Sequence, residues 1–243
     1  MGTLFRESHV LIRSEKEWGD HRLVERKRRH FKAVIFQLEE IVAHTTPFEI
    51  EAWIDCARQL GIANEDLEDR ISRWDSVKLA RWMVETGEAR GMTSEDLIEQ
   101  KERIFLASLG RLTPRDVSPG IAPLLKNLKK NGIRLSAASA RVNVSEAIEQ
   151  LEVGDFFNDV EDGGGEAGLL NRVEAACERL GADVQECIVI IDADEAPLDG
   201  RESEWLVIAV GCKDPVEGAV WTIENTGELT YEALKEMYEE AAH

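Results

Sequence analysis

Phe31-Lys32-Ala33-Val34-Ile35-Phe36-Gln37-Leu38-Glu39-Glu40-Ile41-Val42 is the stretch on which the fold turns. The apolar run Ala33–Phe36 is short and unbroken, and it stops at polar side chains. A run of that kind, without alternation, predicts a strand covered on both faces in a parallel sheet. Ligands in open α/β sheets bind outside the C-terminal ends of the strands. Gln37, Glu39 and Glu40 are therefore predicted to lie at a cleft.

Downstream of this strand the pattern is helical for a long way. Thr45-Thr46-Pro47 can start a helix, because Pro is suited to a first turn and Thr to a cap. Phe48, Ala52, Trp53, Cys56, Ala57 and Leu60 follow at helical spacing, and Gly61 ends the run. Further helices are predicted over 64–71, 76–88 and 94–109, the last opened by Ser94-Glu95-Asp96-Leu97 with acids in its first turn. No strand is expected there, so roughly 45–112 reads as a helical insertion.

From Pro119 strands and helices alternate. Helices are predicted over 121–130, 143–151, 169–180 and 231–241. Strands are predicted over 133–138, shortly after 155–160, and over 187–191, 206–210 and 219–223. Asn131-Gly132 is a turn, and Gly163-Gly164-Gly165 a flexible loop. Such alternation predicts βαβ units in a parallel, doubly wound sheet.

Composition narrows the function. A chain of 243 residues with 43 % apolar residues can bury a full core. The net charge of −19 repels nucleic acid and acidic membrane surfaces, so neither is an expected partner. No apolar run is long enough to span a bilayer, and the N-terminus lacks a signal-peptide core, which points to a cytoplasmic address. The four cysteines, Cys56, Cys177, Cys187 and Cys212, lack metal-ligand spacing and read as reduced thiols, mostly buried. Residues 1–30 stand apart, with Val10-Leu11-Ile12 as a short strand candidate and Glu25-Arg26-Lys27-Arg28-Arg29 as a basic run. They read as a solvated leader, with a docking arm as the functional alternative.

Residues 31–240 resemble the haloacid dehalogenase (HAD) superfamily, and within it the β-phosphoglucomutase group and its phosphatase relatives. Phe31–Phe36 matches the opening strand. Thr45-Thr46-Pro47 through Trp53 matches the start of a helical cap. Ile71-Ser72-Arg73 with Asp75-Ser76 resembles a cap loop that presents an arginine to a substrate phosphate, and Lys101 lies in a helix like the family's lysine-bearing cap helix. Asp116-Val117-Ser118-Pro119-Gly120-Ile121 and Ala138-Ser139 follow the second motif. Glu186–Ile190 with Asp192 follows the fourth, and Gly227–Thr230 resembles the C-terminal end. The resemblance implies a Rossmann-like α/β core with a parallel sheet, residues 31–44 plus 113–243, and an inserted all-helical cap domain, residues 45–112. Residues 1–30 form an extension.

The same resemblance implies a mechanism that this chain has lost in part. The family attacks phosphorus with an Asp carboxylate, uses a second Asp two residues on as acid and base, holds phosphoryl oxygens with a Ser or Thr and a Lys, and completes a magnesium site at the fourth motif. Here the nucleophile position is Gln37, whose amide has no anionic oxygen. The acid/base position is Glu39, one methylene longer than Asp. The following Gly, which lets a backbone approach phosphate, is Glu40. Ser139 keeps the hydroxyl. No lysine occurs between Lys130 and Lys213; the matching place falls near Ala167, with Arg141 or Arg172 as weak substitutes. Asp192 is kept, preceded by Ile191, with Asp194 and Glu195 close by.

The expected site is therefore Gln37 and Glu39 at the catalytic positions, with Ser139, Arg73 and Lys101 as substrate contacts. Asp192 with Glu39 offers Mg²⁺ weak binding or none, since hard cations want carboxylate charge. Each has a plainer alternative: Asp192 and Asp194 capping the next turn, Arg73 as a surface arginine, Lys101 as a solvated helix charge. Two functions are carried forward. One is a catalytically inactive HAD-fold protein that binds a small phosphorylated metabolite or a protein partner. The other is a Mg²⁺-dependent phosphatase or phosphomutase with an atypical site.

Overall fold

The computed structural model describes residues 30–63, 66–89, 91–139, 144–161, 169–195 and 205–241. The expectations for Val10–Ile12, the basic run before His30, Asn64, Arg141, the triple-glycine loop and Ala167 lie outside the described residues.

Six parallel strands form one sheet: β1 (Ala33–Gln37), β2 (Arg134–Ala138), β3 (Asp159–Glu161), β4 (Cys187–Asp192), β5 (Leu206–Val210) and β6 (Trp221–Ile223), in the order β3-β2-β1-β4-β5-β6. β1 lies at the centre and is buried at every position. The chain builds outward from β1 in one direction, then returns and builds outward from β4 in the other. The order reverses between β1 and β4, and a crevice opens at such a switch point.

The alternation of side chains across the sheet sorts the core into two layers. Val34 and Phe36 of β1, Ile188 and Ile190 of β4, and Leu206, Ile208 and Val210 of β5 face one layer. Helices α5 (Ile121–Lys130), α6 (Val144–Gln150) and α8 (Tyr231–Glu240) contribute Leu124, Leu125, Ile148 and Leu234 to it. Ala33, Ile35, Cys187, Val189, Ile191 and Val207 face the other layer, covered by Val173, Ala176 and Cys177 of α7 (Leu169–Leu180). Fully burying one such Val, Ile or Phe side chain contributes ~1.5–3 kcal/mol, so the continuous apolar runs of β1, β4 and β5 are what commit them to the interior.

Helices α1 (Thr46–Gln59), α2 (Leu67–Arg73), α3 (Ser76–Thr86) and α4 (Ser94–Leu109) gather a third cluster of their own around Trp53, Cys56, Leu60, Leu79, Met83 and Leu97. α2 starts and ends later than its predicted 64–71, and α3 stops two residues before Glu88. The stop is made by Gly87, where an added Cβ would meet Leu60 Cβ at 2.8 Å. α4 has its predicted bounds, fixed by Thr93 and Asp96 in a reciprocal capping box.

Two tight connections bring the strand ends together. The loop after β1 folds back on itself, with Val42 N and Ala43 N donating to the Leu38 carbonyl at 3.0 and 2.9 Å. Ser118 N then donates to the Val42 carbonyl, and Ser118 Oγ to the Glu40 carbonyl, both at 3.0 Å. Gly120, which opens α5, needs its glycine: its φ is +81°, and a Cβ there would meet the Thr226 carbonyl and Gly227 Cα at 3.0 Å.

Candidate functional site

Gln37, Ser139 and Asp192 sit at neighbouring strand ends. Gln37 closes β1, opposite Ala138 of β2; Ser139 follows β2; Asp192 closes β4. The three come from segments far apart in the chain, and the parallel register is what aligns them.

Gln37 is buried, and its Oε1 accepts from Asp192 N at 2.9 Å. The amide thus stitches β1 to β4 across the switch point. Ser139 is fully buried, and its hydroxyl donates to Glu39 Oε1 at 2.6 Å. That is at the short end of the ordinary O–H···O range. Glu39 itself is only 8 % exposed. Glu39 and Ser139, 100 residues apart in the chain, are therefore hydrogen-bonded to each other.

Glu40 departs from expectation. The sequence predicts its side chain at the cleft, in place of a glycine. Its backbone keeps the left-handed conformation that favours glycine, at φ +60°. The side chain reaches the start of α1, where Oε1 accepts from Thr45 N and Thr45 Oγ1 at 2.9 Å and from Thr46 N at 2.7 Å, and Oε2 meets His44 Nδ1 at 2.9 Å. A carboxylate at a helix N-terminus satisfies orphan N–H groups and complements the dipole. Burial works against its charge, but the hydrogen bonds from Thr45, Thr46 and His44 outweigh it and hold the carboxyl below the usual range. Thr45 stands at the predicted N-cap, yet its hydroxyl donates to Glu40 instead of capping the helix itself.

Asp192 is half-buried. Its Oδ1 accepts from Asp194 N at 2.8 Å, at the start of the short 3₁₀ turn Ala193–Glu195. Arg73 is 74 % exposed in its side chain and pairs with Asp69 of its own helix at 2.9 Å. Lys101, expected as a solvated helix charge if not a ligand contact, is buried between α1 and α4. Its Nζ pairs with Glu49 at 2.7 Å and Glu102 at 3.2 Å, beside the rings of Trp53 and Phe105. The structure thus joins Gln37, Glu39, Ser139 and Asp192, and places the known partners of Arg73 and Lys101 within the helical segment. Arg172 is buried on α7, which packs on β1, β2 and β3. Sequence reading missed the roles of His44, Thr45, Thr46 and Ser118 in holding the loop; the Thr-Thr-Pro signal pointed only to the helix start.

The implied Mg²⁺ is a poor fit to these donors. Among the described residues no group of three His, Cys, Asp or Glu side chains could hold a metal ion. Gln37 offers an amide oxygen already engaged with Asp192 N, and one oxygen each of Glu39 and Asp192 is engaged with Ser139 and Asp194 N. Among the described residues, no helix is long and apolar enough to cross a membrane.

Comparison with known proteins agrees with the geometry. The family model for haloacid dehalogenase-like hydrolases matches residues 2–194. That span begins well ahead of residue 31, where the sequence resemblance was placed. The β-phosphoglucomutase of Bacillus subtilis is 28 % identical over 222 residues, covering 86 % of this chain and 96 % of that protein. Among solved structures, the β-phosphoglucomutase of Clostridium difficile superposes with a TM-score of 0.65 at 21 % identity, covering 86 % of this chain and 98 % of that one. The putative β-phosphoglucomutase of Thermotoga maritima gives 0.64 at 20 % identity, covering 84 % and 99 %. The parallel sheet, the strand order and the matched family model lead to one conclusion: the chain belongs to the haloacid dehalogenase-like hydrolase family.

Proposed function

We propose that this protein is a non-catalytic member of its family, which binds a small phosphorylated metabolite between the strand ends and the helical segment 45–112 without turning it over. The observation that carries the reading is Gln37. An uncharged amide replaces the attacking carboxylate, and its oxygen is committed to Asp192 N at 2.9 Å. No covalent phosphoenzyme can form on it. The metabolite class is supported by the names of the relatives, which include β-phosphoglucomutases and a CbbY protein solved with xylulose-1,5-bisphosphate. Ser139 would give its hydroxyl to a phosphoryl oxygen after releasing Glu39.

The competing enzyme reading would use Glu39 or Asp192 as the active carboxylate. Both already have an oxygen in local hydrogen bonds, and the donor set suits Mg²⁺ poorly. The test is ligand-induced thermal stabilisation with hexose monophosphates, in wild type and in Ser139→Ala. Stabilisation that saturates in wild type and is lost in Ser139→Ala is expected. No stabilisation by any of them would overturn the metabolite and leave a protein partner as the ligand.

A further inference from the structure

We propose that Cys177 and Cys187 form an oxidisable dithiol, a covalent modification site that joins α7 to β4 by a disulfide when the protein meets a hydroperoxide. The two sulfurs lie 3.2 Å apart, although each belongs to a different element: Cys177 to α7 and Cys187 to the first position of β4. A disulfide has an S–S bond of about 2.05 Å. Closure therefore needs the sulfurs to approach by only about 1.2 Å, a movement of side-chain size. The hairpin between them, Gly181 with the 3₁₀ turn Val184–Glu186, already holds both ends in place.

The two thiols are not equivalent. Cys187 Sγ also lies 3.4 Å from the Asp183 carbonyl, and Glu186 is its neighbour. The hydrogen bond between the two sulfurs holds the Cys177 thiol down against the effect of burial, whereas the same contact, burial and nearby negative charge push Cys187 up. Either sulfur is placed to attack, and the direction of the two shifts favours Cys177 as the attacking sulfur with Cys187 resolving. Both sulfurs are sealed between the helix and the sheet. Burial ordinarily keeps a thiol inert, so oxidation here requires an oxidant small enough to enter between helix and sheet, which hydrogen peroxide is and oxidised glutathione, a bulky disulfide, is not.

The chemistry balances in two steps. The Cys177 thiolate attacks one oxygen of hydrogen peroxide, the O–O bond breaks, and hydroxide leaves, giving Cys177 sulfenic acid. The Cys187 sulfur then attacks Cys177, the S–O bond breaks, and hydroxide leaves. The two hydroxides take up the two thiol protons, so two thiols and one peroxide give one disulfide and two waters. The thiols are oxidised by two electrons and the peroxide is reduced by two. Cys187 opens β4 and Asp192 ends it, so the bond would form about 16 Å from the candidate site, at ~3.3 Å per residue. It would lock the helix to the sheet without touching the ligand groups.

The experiment treats the full-length native protein with hydrogen peroxide, then denatures it under alkylation and maps peptides by mass. A Cys177–Cys187 linked peptide, 2 mass units below the sum of its reduced halves, is expected (about two hydrogens lost in forming the bond). The same treatment with oxidised glutathione should give at least tenfold less of it. When the peroxide-treated variants are denatured in the presence of a sulfenic-acid probe, Cys177 should be labelled in Cys187→Ser and Cys187 left unlabelled in Cys177→Ser. Native wild-type protein in which both thiols stay alkylatable, or in which either passes to the sulfinic acid without cross-linking, would overturn the proposal. The wild-type peptide map decides the matter even if a variant fails to fold.

Discussion

The side-chain oxygen of Gln37 accepts the backbone N–H of Asp192 at 2.9 Å, so the central strand is tied to its neighbour at the switch point of the sheet. Gln37 is a structural link. Replacing it with an apolar side chain would leave a part-buried N–H without its acceptor. Gln37→Leu should destabilise the fold by ~1–3 kcal/mol, whereas Gln37→Glu keeps the acceptor but adds a buried carboxylate beside Glu39 and Asp192, so its deficit should shrink as pH falls and that carboxyl protonates. Urea unfolding of both variants measures the difference. Equal stability of wild type and Gln37→Leu would show that the link carries no weight.

Glu40 gives a pH signature. Its carboxyl ionises more readily in the folded protein than in the unfolded chain, because Thr45, Thr46 and His44 hydrogen-bond the anion. The stability it adds is therefore full above the ordinary carboxylate value of 4.5, and is lost as pH falls through the lower folded value. Glu40→Gln should cost ~1 kcal/mol at pH 7, as loss of a charged helix cap does. The gap from wild type should close as pH falls below that range. A gap that is constant with pH would place the contribution in packing rather than in charge.

Lys101 separates a structural role from a ligand role. Its ammonium is buried against Glu49 and Glu102, whose side chains are 33 % and 34 % exposed and can be hydrated if the lysine is lost. Lys101→Met fills the same space beside Trp53 and Phe105 but leaves Glu49 and Glu102 without their cation, so it should destabilise the fold, by less than loss of one partner of a fully buried pair does because both carboxylates can be hydrated. Lys101→Ala leaves a void and should cost ~2–3 kcal/mol. Neither should change hexose monophosphate binding. A tenfold loss of binding in Lys101→Met, with the fold kept, would restore Lys101 to the ligand contacts.

Much of the fold was legible because burial on both faces leaves an unbroken apolar run. β1, β4 and β5 stand out in that way, and α4, α5 and α7 follow from period and caps. Parallel pairing then aligns Gln37, Ser139 and Asp192 without further information. Side-chain direction was not legible. Glu40 follows Glu39 in the chain, yet one meets Ser139 and the other meets the start of α1, a divergence set by a single left-handed residue. The burial of Lys101 depends on Glu49, 52 residues away, and no local pattern encodes that pairing. The contact between Cys177 and Cys187 is likewise visible only once α7 packs on the sheet.

The central claim is that this site does not transfer phosphate. Its most direct test is steady-state release of inorganic phosphate from hexose monophosphates and an aryl phosphate with Mg²⁺, by wild type and by Gln37→Asp. A new carboxylate at position 37 would share the strand ends with Glu39 and Asp192, where like charges raise one another's pKa and repel a phosphate dianion. Groups that act as a unit also lose function together and are not restored singly. Both proteins should release phosphate no faster than the buffer blank. Turnover by wild type in the ordinary enzyme range of ~1–10³ s⁻¹ would contradict the account, and such turnover by Gln37→Asp alone would show that the rest of the catalytic site had stayed intact.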